Sequence, residues 1–291
     1  MAAFKLNSVL RRQLFVGRVA IVTGGATGIG GMITNELVTL GCRVVIAARN
    51  EDRLKEFATT VNKNTGHDLV YPIRCNIRKE EEVSELMSKT VKQFGKIDYL
   101  VNNGGGQFAS QTEDISAKGW HAVVETNLTG TFYCLKHVYD KYMKKHGGSI
   151  VNIIADIYKG FPGMAHTGAA RAGVENLCKT LAVEWAKNGV RINCVAPGII
   201  YSETAEANYG QKGMFESQLY RIPAWRLGDT SEVSSVVCFL LSPGASYVSG
   251  NTVYIDGAQH LYKSTYEVEQ HSNYPPPNYP TTEATTPKSK L

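Results

Sequence analysis

Hydrophobic positions along this chain fall into two alternating rhythms. Short, mostly apolar runs occupy Arg18–Thr23, Arg43–Ala47, Leu69–Arg74, Ile97–Asn102, Ser149–Ala155, Val190–Ala196 and Thr252–Ile255. They lack the alternating polar face of a half-exposed strand, as expected for strands covered by helices on both sides. Between them, helical spacing runs over Gly28–Leu40, Glu51–Val61, Glu80–Phe94, Ala117–Lys145, Ala165–Asn188 and Ser231–Leu241. Gly41, Gly95 and Gly189 stand just past the last periodic residue, where a glycine closes a helix. The alternation predicts βαβ units around one parallel sheet, a single α/β, doubly wound, Rossmann-type domain with seven strands over residues 17–262.

Three segments break the rhythm. Ile199–Trp225 is too long for an ordinary αβ connection and reads as a partly helical lid, residues 199–225, over a binding cleft. Residues 1–16 form an N-terminal extension with Lys5, Arg11 and Arg12 and no acid, and residues 263–291 form a Pro-rich tail expected to be flexible and to leave the domain. No apolar run approaches the roughly 20 residues that cross a bilayer, so no membrane span is expected.

Composition adds exclusions. Hydrophobic residues at 43% and charged residues at 20% rule out wholesale disorder. Thirty-one Lys and Arg against 26 Asp and Glu give +5, an excess that does not itself select nucleic acid, and no nucleic-acid partner is expected. The six cysteines form no C-x-x-C pair and no His cluster accompanies them, so neither disulfides nor a metal site is expected. Reduced thiols point to an intracellular compartment.

Chemistry first appears at Thr23-Gly24-Gly25-Ala26-Thr27-Gly28-Ile29-Gly30, between the first strand and the first helix. Glycines there permit a tight turn and close approach to a pyrophosphate, whose charge meets free N–H groups at the helix start. The second strand ends in Ala48-Arg49-Asn50, where an acid would take the ribose hydroxyls of NAD and an arginine would pair with the 2′-phosphate of NADP. Arg49 therefore predicts NADPH as cofactor.

The T-G-x-x-x-G-x-G pattern, Asn102-Asn103-Gly104-Gly105 after the fourth strand, Asn127 in Glu125-Thr126-Asn127-Leu128, and Pro197-Gly198 after the sixth resemble the short-chain dehydrogenase/reductase family over roughly residues 15–260. The resemblance implies that Asn76 lies beside the adenine, in place of the usual acid, and that Asn103-Gly104 lines the adenosine ribose. It also implies that Pro197, Gly198 and Ile200 approach the nicotinamide, and that Asn127 braces the active-site helix through water. A homotetramer built on the helices Ala117–Lys145 and Ala165–Asn188 is implied by the same analogy.

The chemical centre departs from the family. Its usual reductases carry a Ser near the end of the fifth strand and a Tyr-x-x-x-Lys on the next helix. Aligning Arg171-Ala172-Gly173-Val174 with the usual Lys-Ala-Gly-Val run puts Arg171 at the Lys, Thr167 at the Tyr, and Ile154 or Ala155 at the Ser. Two readings follow: a silent NADP-binding sensor or scaffold, or an enzyme whose reaction needs no proton relay to an alcohol oxygen. Hydride addition to the β-carbon of an α,β-unsaturated thioester is such a reaction. Charge builds on the thioester oxygen, which needs hydrogen-bond donors, and the last proton goes to carbon.

The enoyl-CoA and dienoyl-CoA reductase branches of the family are similar in this respect. Asn102-Asn103-Gly104-Gly105-Gly106-Gln107-Phe108 and Gly168-Ala169-Ala170-Arg171-Ala172-Gly173-Val174 resemble the enoyl-CoA branch most. The resemblance implies NADPH-dependent reduction of trans-2-enoyl-CoA in peroxisomal fatty-acid metabolism, with 2,4-dienoyl-CoA reduction as the alternative and 3-oxoacyl reduction disfavoured. Tyr158 lies near the place where dienoyl-CoA reductases carry a catalytic Tyr, and Glu175 holds a position where enoyl-CoA reductases can carry one. Tyr158, Thr167, Arg171 and Asn127 are thus the expected catalytic set, with Arg171 also on the cofactor ribose. His166 invites a general-acid role, but no orienting partner is visible from sequence. Lys141, Lys144, Lys145 and His146 read as the charged end of a helix that a CoA phosphate could also meet.

The chain ends Ser289-Lys290-Leu291, which reads as an address for the peroxisomal import receptor. Its rival is the basic N-terminus, where Phe4, Leu6, Leu10 and two Arg resemble a mitochondrial presequence. The expected localisation is the peroxisome.

Overall fold

Val19, Ala20, Ile21 and Val22 are all fully buried in succession, which only a strand covered on both faces permits. Their side chains alternate between two cores. Ala20 and Val22 join Val44, Ile46, Val101, Val151 and Val195 on one face, while Ile21 joins Val45, Leu100, Ile150 and Ile192 on the other. The computed structural model describes residues 12–209, 216–262 and 268–279.

The chain runs β1 (Val19–Thr23), α1 (Gly28–Thr39), β2 (Arg43–Ala48), α2 (Glu51–Thr65), β3 (Val70–Arg74), α3 (Glu80–Phe94) and β4 (Tyr99–Asn102). A long helix follows in three α-helical pieces, α4 (Ala117–Val124), α5 (Gly130–Val138) and α6 (Lys144–His146), joined by π-helical turns at Glu125–Thr129 and Tyr139–Met143. Next come β5 (Gly148–Ile153), α7 (Ala165–Glu184), β6 (Val190–Pro197), β7 (Ile200–Tyr201), α8 (Glu203–Tyr209), β8 (Gly228–Asp229), α9 (Thr230–Leu241) and β9 (Thr252–Ile255). Seven strands form one parallel sheet in the order β3-β2-β1-β4-β5-β6-β9. Strand order reverses between β1 and β4, so the crevice for a ligand opens at their carboxyl ends.

The seven strands and the doubly wound parallel sheet agree with the sequence reading, with shifts at the ends. Helix α2 runs four residues past the expected Val61 and stops at Gly66, which takes a left-handed conformation at φ 69°. The fifth strand ends at Ile153, two residues before the expected Ala155. Ile154 still donates to Val195 O, after which the chain turns away. Among the described residues no helix is long and apolar enough to cross a membrane, and all six cysteines are buried free thiols.

The two irregular segments pack on each other. From within the expected lid, β7 pairs in parallel with β8 just beyond it, beside a small cluster of Ile222, Ala224 and Leu227 with Ile199, Tyr201 and Tyr279. Tyr279 belongs to the tail expected to leave the domain, and residues 268–279 instead lie against the lid. Trp225 Nε1 donates to Val268 O (3.2 Å), His271 Nε2 sits 3.0 Å from Pro223 O, and Tyr279 donates to Leu227 O (3.4 Å). Asn278 donates to Asp229, the residue that caps α9. Apolar rings and backbone partners, absent from a fully solvated tail, account for this docking. Residues 1–11, 210–215, 263–267 and 280–291, which include Ser289-Lys290-Leu291 and most of the N-terminal extension, lie outside the described residues.

Candidate active site

The glycine turn is built for close approach. Gly24 and Gly28 hold φ +65° and +50°, the left-handed region that side chains disfavour. A Cβ on Gly30 would collide with Gly24 O and the Asn103 amide. Thr27 stands at the N-cap of α1 without a side-chain cap, which leaves the first N–H groups of the helix for an anion. This geometry fits a dinucleotide pyrophosphate. Gly28 faces the start of the lid, its added Cβ lying 3.5 Å from Ser202 Oγ and 3.8 Å from Thr204 Cβ. Those two hydroxyl residues were not singled out from sequence, because nothing in their spacing shows that the lid folds back over the turn.

Thr23 and Asn103, expected on the cofactor, are spent within the protein. Thr23 Oγ1 accepts from Asn103 N (3.0 Å) and Gly104 N (2.9 Å), and Asn103 Nδ2 donates to Thr23 O (3.0 Å). Together they lock the loop after β4 onto the glycine turn. Gly104 packs so tightly on Ile77 and Thr23 that a Cβ would come within 3.2 Å of each. Asn76 closes a local turn, its Oδ1 accepting from Arg78 N (3.2 Å). Arg49 is exposed at the end of β2 and makes no hydrogen bond or ion pair among the described residues. Its neighbour Asn50 caps α2 by accepting from Arg53 N. Ile29 is half-buried in the first turn of α1.

Arg171, Asn127 and Gly105 converge. Arg171 Nη1 donates to Ile153 O at 2.6 Å, fixing the guanidinium at the carboxyl end of β5. A Cβ on Gly105 would strike Arg171 Nη2 and come within 2.9 Å of Asn127 Oδ1. Asn127 is fully buried in the first π-turn, a helix irregularity common at functional sites. Its amide serves both backbone groups of Gly106, a partner the family analogy did not name. Thr167 lies one turn before Arg171 on α7, fully buried, its Oγ1 without a hydrogen-bond partner among the described residues.

Tyr158 is placed elsewhere. It is 66% exposed, and its ring meets Tyr254 and His260 edge-on at the rim of β9. Glu175 pairs with Lys179 (3.0 Å) and Thr252 (3.1 Å). The sequence reading passed over Asp156, whose backbone N–H donates to Pro197 O (3.0 Å), next to Gly198. Burial raises its carboxyl above the ordinary range, against the Tyr158 N–H it accepts, and the charge of Asp256 adds to the rise. Gly198 N donates to Ile255 O, and Ile200 is buried in β7, so the segment after β6 is pinned at both ends.

Residues 24–260 match the family described as "Enoyl-(Acyl carrier protein) reductase". The peroxisomal 2,4-dienoyl-CoA reductase [(3E)-enoyl-CoA-producing] of Danio rerio is 36% identical over 263 residues, covering 88% of this chain and 86% of the relative. Among solved structures, the citronellol catabolism dehydrogenase of Pseudomonas aeruginosa is 43% identical with a TM-score of 0.77, covering 88% of this chain and 100% of the other. A single-substitution variant of the actinorhodin polyketide ketoreductase, solved with NADPH, is 30% identical with a TM-score of 0.78, covering 87% and 100%. Sheet order, glycine turn, the Asn127 π-turn and these matches converge: the chain is an oxidoreductase and belongs to the short-chain dehydrogenase/reductase family.

Proposed function

We propose that this chain reduces the carbon–carbon double bond of a trans-2-enoyl-CoA thioester. One observation carries the reading. Where carbonyl-reducing relatives place a serine hydroxyl, this chain has buried Ile154 followed by Ala155, and the hydroxyl one turn before Arg171 belongs to Thr167. A site so built lacks the Tyr–Lys pair that protonates an alcohol oxygen, yet keeps a buried donor for an oxygen that becomes negative.

The cofactor is NADPH. The helix start at Gly28 takes the pyrophosphate, and Arg49, with no acid at the end of β2, takes the 2′-phosphate. Bound NADPH supplies the hydride. Arg171, held by Ile153 O, lies beside the nicotinamide ribose, and its charge also favours electron density gathering on a nearby thioester oxygen. Thr167 donates to that oxygen. Asn127 holds the Gly105–Gly106 backbone that forms the opposite wall.

A second reading, reduction of a 2,4-dienoyl-CoA, is favoured by the Danio rerio relative's name. Both reactions gather charge on a thioester oxygen, so the substrate itself must decide. Purified protein is mixed with NADPH and either trans-2-hexenoyl-CoA or 2,4-hexadienoyl-CoA, and absorbance is followed. Faster turnover of the monoenoyl thioester supports the proposal; preference for the diene assigns the second reading; silence with both leaves a cofactor-binding protein without reductase activity.

The same reading places the protein in the peroxisome, delivered by the import receptor through Ser289-Lys290-Leu291. It also makes it a homotetramer: Leu128, Phe132 and Leu177 line an apolar groove between α5 and α7, on the two helices that family analogy puts at the subunit contact. Light scattering of the purified chain tests the assembly.

A further inference from the structure

His166 is fully buried at the start of α7. Its Nδ1 accepts the backbone N–H of Thr167 at 2.9 Å, the orienting partner that sequence did not reveal. A neutral imidazole that accepts at Nδ1 carries its hydrogen on Nε2. The ring is held from a second side by Phe108, whose ring meets it at 87° with centroids 4.4 Å apart. With Nδ1 turned to the helix end, the ring edge bearing Nε2 lies on the side away from that N–H. Nε2 has no hydrogen-bond partner among the described residues, and neither has Oγ1 of Thr167 next to it.

Two buried polar side chains without partners on consecutive residues are unusual. Leaving such a group unmet is costly, and native interiors contain few of them. A histidine kept only for packing would be matched at both nitrogens or replaced by an apolar ring. Phe108 belongs to the loop that continues from Gly105 and Gly106, and that loop is tied to the approach of α7 by Ser110 N donating to Gly163 O (2.8 Å).

We infer that His166 is a catalytic residue that touches substrate: its Nε2–H, with the Thr167 hydroxyl, binds the thioester oxygen of the acyl substrate. This rests on the reductase reading above. The histidine shares its hydrogen and transfers none. As the β-carbon gains hydride, the electron pair of the double bond moves toward the thioester oxygen, where the two donors meet it. The α-carbon then takes its proton from solvent water, and the donors release a neutral thioester.

The test compares wild type with His166→Phe and His166→Gln, the latter retaining an N–H. Three quantities are measured for each: kcat with trans-2-hexenoyl-CoA, the NADPH dissociation constant, and calorimetric binding of saturated hexanoyl-CoA to the NADP+ form. Removing a donor aimed at a developing oxyanion costs on the order of 10²–10³ in kcat. His166→Phe should show that loss with NADPH binding within about twofold of wild type, weaken hexanoyl-CoA by about three- to tenfold, and be at least partly rescued in His166→Gln. An active wild type whose His166→Phe variant keeps kcat and hexanoyl-CoA affinity overturns the inference, as does a Gln variant no better than Phe. If wild type is inactive but hexanoyl-CoA binding still weakens in His166→Phe, the thioester contact stands and the reductase reading falls. If wild type is inactive and binding is the same in both, both fall.

Discussion

Asn127 and Gly106 are joined by two hydrogen bonds, Gly106 N donating to Asn127 Oδ1 and Asn127 Nδ2 donating to Gly106 O, each 3.0 Å. The pair converts a run of three glycines, which would otherwise wander, into a fixed wall beside Arg171. Asn127→Ala removes both partners of a part-buried backbone unit, at about 1–3 kcal/mol. Thermal melts should show a loss of that order, and kcat should fall because the Gly105 backbone no longer confines the Arg171 guanidinium. A variant with unchanged melting and unchanged kcat would show that the loop holds itself.

Arg49 should decide between the two nicotinamide cofactors. A charge-assisted bond to the 2′-phosphate contributes about 1.5–3 kcal/mol, and NADH offers it no partner. Arg49→Asp is therefore expected to weaken NADPH by roughly tenfold to a hundredfold while leaving NADH nearly as it was. Equal losses of both in a fluorescence titration would move the phosphate contact to another residue.

Thr167 and Tyr158 make opposite predictions. With its ring on the rim and 66% exposed, Tyr158 should tolerate Tyr158→Phe with kcat within about twofold. Thr167→Val deletes a buried donor and should lower kcat by on the order of 10²–10³. The reverse pattern in steady-state assays would return the oxyanion contact to Tyr158.

What the sequence disclosed was what lies close along the chain. Strand and helix periods, the turn from Gly24 to Gly30 and the arginine at the end of β2 are local features, and each is where spacing puts it. Partners joined only by folding were out of reach. Ser202 and Thr204 meet Gly28 because the lid folds back, and Asn127 reaches Gly106 because a π-turn rotates it out of helical register. Asp156 drew no notice in the sequence because its backbone bond to Pro197 forms only on folding. The tail failed for the opposite reason: proline-rich composition concealed His271, Asn278 and Tyr279, three residues with specific partners on the lid and at the start of α9.

Asp156 should make stability depend on pH in a defined direction. Its folded pKa is raised, chiefly by burial. At low pH the carboxyl is neutral in both folded and unfolded chains and costs nothing. As pH rises, the unfolded chain ionises first, so stability falls until the raised folded pKa is passed and stays reduced above it. Asp156→Asn removes that loss, so its melting temperature should exceed wild type at neutral pH and converge with it in acid. A variant less stable than wild type at neutral pH would mean that the ionised carboxylate holds the Tyr158 loop.

The segment 268–279 should act as a brace for the lid. It offers Val268 O to Trp225, contacts Pro223 through His271, donates from Asn278 to Asp229, and sets the Tyr279 ring, tilted by 36°, against Tyr201 with centroids 4.7 Å apart. Trp225 needs such support because it holds a positive φ of 53°, which a bulky side chain adopts only under constraint. A chain ending at residue 267 loses several partly buried hydrogen bonds, each contributing about 0.5–1.5 kcal/mol, and opens the face of the Ile222, Ala224 and Leu227 cluster. At roughly 2–4 °C per kcal/mol for a domain of this size, its melting temperature should drop by several degrees. On the proposal that the lid covers the acyl substrate, KM for the acyl thioester should rise more than the NADPH dissociation constant. Equal KM and equal melting in the truncated chain would mean that the lid stands without its brace.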